Sequence, residues 1–109
     1  MEGITFERQF RTLYSEGYYI TRGDERLGRV DLHYATEIVY GTLIVETELS
    51  EDDINDLIEQ VDDELVMTAD VERDDFQVTV YQGKELGFYS DDYFDDEDDE
   101  DEEDEEEVK

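Results

Sequence analysis

The chain has no cysteine, and it has a single histidine, His33. Without cysteine there is no disulfide framework, no thiolate metal site and no cysteine nucleophile. No run of about 20 apolar residues occurs, so no transmembrane helix is expected. Met1-Glu2-Gly3 lacks the basic-then-apolar pattern that opens a signal peptide. A soluble cytoplasmic protein is the expectation from these points. Basic residues are also scarce: eight lysines and arginines stand against 37 acids, for a net charge of −29. There is no phosphate-binding glycine loop and no basic stripe, so direct nucleic-acid binding has no support.

The excess of acid falls in two parts. Asp91–Lys109 holds 15 acids and one lysine, and the preceding 90 residues hold 22 acids and seven basic residues. Such a field repels nucleic acid and anionic membrane surfaces and attracts basic proteins and cations. With 109 residues the chain has room for one domain and a tail. We place an α+β domain at residues 1–90 and an acidic tail at 91–109. The tail has no apolar face to bury and repels itself, so it is expected to be disordered in isolation.

Ile38–Val45 is apolar on both alternating sets, which predicts a central strand covered on both faces or flanked closely, with Gly41 at a bulge or a close backbone approach. Phe6, Phe10, Leu13 and Tyr14 fall at i, i+4, i+7 and i+8 and predict a short N-terminal helix, capped by Thr5 and closed by Gly17, against a competing strand with Ile4, Phe6, Phe10 and Tyr14 on one face. Tyr18–Tyr34 reads as a β-hairpin around Gly23-Asp24-Glu25, with a bulge near Gly28. Ser50 caps a helix whose apolar stripe is Ile54, Leu57, Ile58, Val61 and Leu65, with Glu51, Asp52 and Asp53 favoured by the helix dipole in the first turn. Val66–Asp75 reads as connecting chain, with room for a short extended piece at Val66–Val71. Phe76–Tyr89 reads as a second hairpin bending at Gly83-Lys84. The expected architecture is an antiparallel sheet of about five strands, two hairpins and a central strand, with the amphipathic helix and the short N-terminal helix packed on it.

No catalytic constellation emerges, and an enzyme is not expected. His33 lines a strand face with Arg29 and Asp31, where an exposed or hydrogen-bonded histidine is the ordinary case. Carboxylate pairs such as Asp52/Asp56 and Asp62/Asp63 arise by chance at this acid content. The calcium-loop pattern is absent, so neither metal nor other cofactor is expected. Arg22-Gly23-Asp24 is the entry to a turn. The candidate partner-binding residues are two aromatics at the root of the tail, Tyr93 and Phe94, with the acids Asp95, Asp96, Asp98 and Asp99, and the helix acids Asp52, Asp56, Glu59 and Asp63. Aromatics supply anchors and charge speeds encounter.

Three functions fit this charge. The chain is a non-catalytic interaction or regulatory module for a basic protein partner. Alternatively the helix acids imitate phosphates, and the chain inhibits a DNA- or RNA-binding protein. In the third reading the acid serves solvation in a salt-rich cytoplasm, consistent with Lys84 as the only lysine before the tail.

Overall fold

The computed structural model describes residues 1–69 and 73–91. In chain order these form β1 (Ile4–Arg11), β2 (Ser15–Arg22), β3 (Glu25–Tyr34), β4 (Ile38–Val45), α1 (Glu51–Val61) and β5 (Asp75–Gln82). The five strands make one sheet in the order β1-β2-β3-β4-β5. The first four run as an antiparallel meander, and β5 lies parallel to β4. A parallel neighbour needs a crossover, and α1 supplies it. The fold is α+β, and the sheet is mixed where an antiparallel one was expected, with one α-helix packed on it among the described residues.

Alternation sends one set of side chains towards the helix. Tyr18, Ile20, Val30, Leu32, Val39, Leu43 and Val45 are buried there, with Leu57, Val61 and Val66 from the helical side. Register aligns them in rows across the sheet, such as Tyr18, Val30, Leu43 and Val80. The other face carries Tyr19, Arg29, Asp31, His33, Tyr40 and Ile44.

The helix starts where Ser50 Oγ accepts the Asp53 N–H at 3.1 Å. Of the apolar stripe, Leu57 and Val61 are buried and Ile54, Ile58 and Leu65 are half-buried. Past Val61 the helix widens into a π-turn, Asp62–Val66, and the Met67 N–H donates to the Asp62 carbonyl. The extra residue in that turn brings Val66 onto the buried side, five positions after Val61. A 3₁₀ turn, Met67–Ala69, follows. The start of the expected connecting chain is therefore helical.

Four further expectations are corrected. The N-terminal helix is a strand, β1. Its Ile4 and Phe6 pack towards the core, and the Phe6 ring meets Tyr18 edge-on at 6.5 Å. A register shift between Arg8 and Phe10 then turns Phe10 to the opposite face, over Gly17. Isolated ten-residue helices are marginal in water, and pairing with β2 satisfies this backbone instead. Second, β4 is flanked on both sides by β3 and β5 but covered on one face only: Tyr40 is exposed, and Ile38 and Ile44 are half-buried. Third, Gly41 makes room for a side chain and marks no bulge, since a Cβ there would lie 3.1 Å from the Phe76 ring. Fourth, the second hairpin does not form. Phe76–Gln82 belongs to a strand, but its partner is β4, and Leu86–Phe88 is unpaired.

The first hairpin stands as expected. Gly23, at φ 62°, makes its turn, and Leu27 is the extra residue of a bulge beside Gly28. Among the described residues no helix is long and apolar enough to cross a membrane.

Candidate partner-binding surface

Charge is sorted by layer. From Glu46 to Ala69 there are ten acidic residues and no basic one. The six arginines lie elsewhere, on β1, β2, β3 and at Arg73 before β5. Arginines of the sheet spend their charge locally: Arg26 on Glu46 at 3.3 Å, Arg29 on Asp31 at 2.7 Å, Arg22 on Glu25 at 3.7 Å. On the helix, Asp62 meets Arg73 at 2.8 Å, and Asp56 lies 3.6 Å from the α-amino group of Met1. Glu51, Asp52, Glu59, Asp63 and Glu64 are exposed with no cation beside them among the described residues.

Asp52, Asp56, Glu59 and Asp63 recur at intervals of three and four residues, so they share the solvent side of the helix. At about 1.5 Å of rise per residue the row spans roughly 16 Å. All four are exposed, as their positions between the apolar residues of the stripe require. Tyr93, Phe94, Asp95, Asp96, Asp98 and Asp99 lie outside the described residues.

After β5 the chain turns onto the face away from the helix. Glu85 reaches Tyr19 of β2, whose hydroxyl donates to both carboxylate oxygens at 3.1 and 3.2 Å, and Arg29 of β3 approaches at 4.0 Å. The Tyr19 ring lies under two guanidiniums, Arg26 at 4.2 Å and Arg29 at 5.4 Å, a favourable cation–π arrangement. The next residues are oriented the opposite way from a normal surface segment. Glu85 is half-buried, while Leu86 is 95% and Phe88 85% exposed.

A third feature was not anticipated from the sequence. Glu16 of β2 is the single buried charged residue among the described residues, at 4% exposure. Cross-strand register sets it between Arg11 and Leu32, on the helix-facing side of the sheet. Tyr18 donates to Oε1 at 2.5 Å, Tyr34 donates to Oε2 at 2.7 Å, and Arg8 lies 3.6 Å away. Burial pushes the carboxyl up. The two phenolic hydrogen bonds and the charges of Arg11 and Arg8 outweigh it, and the pKa is lowered from the ordinary glutamate value. Burial, and then the Glu16 carboxylate, raise both tyrosines above their ordinary value. At neutral pH the cluster is therefore an anion held by neutral phenol donors, suited to fixing strand ends and unsuited to giving up a proton. A cavity of about 380 Å³ opens beside it, lined by Arg11, Leu13, Tyr14, Glu16, Tyr34 and Thr36 among others. The signal for Glu16 was its parity with Tyr18 and Ile20, which puts an acid on the apolar side of a strand.

His33 is exposed, opposite Ser15 and Tyr40, and its face-mates Arg29 and Asp31 are bonded to each other. Among the described residues no three His, Cys, Asp or Glu side chains group as a metal site requires. In comparisons with protein-family models, curated proteins and solved structures, nothing matches the chain.

Proposed function

We propose that this protein is a non-catalytic interaction module for a basic protein partner. The observation that carries the reading is the sorting of charge. Arg8, Arg22, Arg26 and Arg29 of the sheet each lie beside a carboxylate, while the outer side of the helix and its π-turn offers Asp52, Asp56, Glu59 and Asp63 with no arginine or lysine beside them among the described residues. The acidic run 95–107 adds charge of the same sign. Uncompensated charge of this kind raises the rate of encounter with an oppositely charged protein and leaves a steep dependence on salt.

The test is association of the full chain with polylysine, followed by stopped flow at several salt concentrations. Neutralising the helix row (Asp52→Asn, Asp56→Asn, Glu59→Gln and Asp63→Asn together) is expected to lower the association rate and flatten its salt dependence. A variant as fast as the parent, with the same salt slope, would remove the helix from the binding surface.

The regular spacing and shared exposure of the same four acids also support a nucleic-acid mimic. That reading requires the chain to displace duplex DNA from a DNA-binding protein and the quadruple variant to lose the effect.

A further inference from the structure

We infer that residues 85–91 are a preset docking segment, and that the partner carries an apolar groove bordered by lysine or arginine. The inference rests on the basic-partner reading and adds the chemistry of the contact.

Three observations converge on this segment. The first is its inverted polarity. Leu86 and Phe88 project into water while the acid between them and the strand, Glu85, packs on the sheet. An apolar side chain gains from burial, and the neighbouring sheet face, with Tyr40 and Tyr81 exposed, has surface to offer. The second is the anchor. Tyr19 and Arg29 hold Glu85 at 3.1 and 4.0 Å, which ties down the residue next to Leu86. Ordering the root of the segment before contact lowers the entropy lost on binding. The third is charge. Asp91 and Asp92 follow immediately, Tyr93 and Phe94 come next, and the acidic run begins at Asp95. Aromatic and aliphatic anchors bordered by acid match a groove with an apolar floor and a cationic rim. A purely cationic surface would leave Leu86 and Phe88 unused, and a purely apolar one would leave the adjoining acids without partners.

The test uses the full chain and two synthetic probes of equal length and equal charge. One consists of lysine and serine. The other is a lysine–leucine helix with leucines at i, i+3, i+4 and i+7. Affinities are measured by calorimetry at about 0.15 M salt, where exposed charges are partly screened. The parent is expected to prefer the leucine probe by about tenfold or more, equivalent to about 1.4 kcal/mol. The Leu86→Ala/Phe88→Ala variant is expected to lose the preference and to bind both probes alike. Both side chains are already in water, so the variant keeps the fold, which circular dichroism checks.

A preference retained in the variant would overturn the inference, as would a parent that binds both probes equally. In those two outcomes the basic-partner reading survives. A parent that binds neither probe, even at low salt, would overturn both.

Discussion

Replacing Glu16 by glutamine tests whether a buried anion holds the end of the sheet. The substitution keeps the shape and removes the charge. One carboxylate oxygen becomes an NH₂ group, so either Tyr18 or Tyr34 loses its acceptor and faces a donor instead. A hydrogen bond to a charged group contributes roughly 1.5–3 kcal/mol, and the surviving bond falls to the neutral range of about 0.5–1.5 kcal/mol. The Arg8 side chain is 51% exposed, so its ion pair at 3.6 Å adds little. The freed phenol can turn towards the cavity and recover part of the loss. The expected cost at pH 7 is about 2–3 kcal/mol. For a domain of this size that lowers Tm by about 8–24 °C.

The pH dependence supplies the sign. The Glu16 pKa is depressed in the fold, so its contribution is fully present above the ordinary value of 4.5 and is lost as pH falls through the lower folded value. Urea unfolding of parent and Glu16→Gln, followed by far-ultraviolet circular dichroism, is expected to show a constant gap above pH 4.5 that narrows below it. A gap under about 0.5 kcal/mol at pH 7, within the range of ordinary surface substitutions, would refute the reasoning. So would a gap that widens on acidification.

Leu57 is fully buried where α1 meets the sheet, so Leu57→Ala is expected to cost about 2–5 kcal/mol in chemical denaturation. Gly28→Ala is expected to be worse, because its Cβ would lie 1.9 Å from the Ile44 carbonyl oxygen, a backbone atom that can yield only if β3 and β4 separate. Loss of dispersed amide signals along β3 and β4 in nuclear magnetic resonance would report it, and a native-like spectrum would contradict it.

Features set by neighbours in sequence were legible before the structure. Ser50 with Asp53, the stripe from Ile54 to Leu65, and the turn at Gly23 all depend on contacts within a few residues. The helix acids follow from the same period, since whatever the stripe does not bury must face water. Features set by distant pairing were not legible. Phe6, Phe10, Leu13 and Tyr14 fit a helical face, and only pairing with β2 and the irregularity at Gln9 separate Phe6 from Phe10. Gly83-Lys84 is a fair hairpin bend, yet β5 finds its partner in β4, where Val39 and Phe76, and Leu43 and Val80, fall in register. Leu86 and Phe88 alternate as a strand would, and the hold of Tyr19 and Arg29 on Glu85 takes that stretch elsewhere. Glu16 escaped because an acid beside glycine reads as a strand boundary until the cross-strand rows are known.

The single parallel pairing has a consequence for how the chain folds. Each antiparallel pair closes through a short turn, so β1 to β4 can zip from local contacts. Ile38 and Asp75 are partners across 37 residues. Closing a loop of that length costs about 3 kcal/mol of chain entropy, against about 1 kcal/mol for a tight hairpin turn. Low contact order in the meander and a distant closure at its end imply an order of events, with β5 docking after the rate-limiting step. Val78→Ala on β5 is then expected to speed unfolding and leave refolding nearly unchanged, whereas Val30→Ala on β3 slows refolding. Until α1 and β5 arrive, the meander shows its whole apolar face to water. The acids that follow β4 in the chain, from Glu46 onward, are tethered next to that face, and their mutual repulsion opposes association of two partly folded chains.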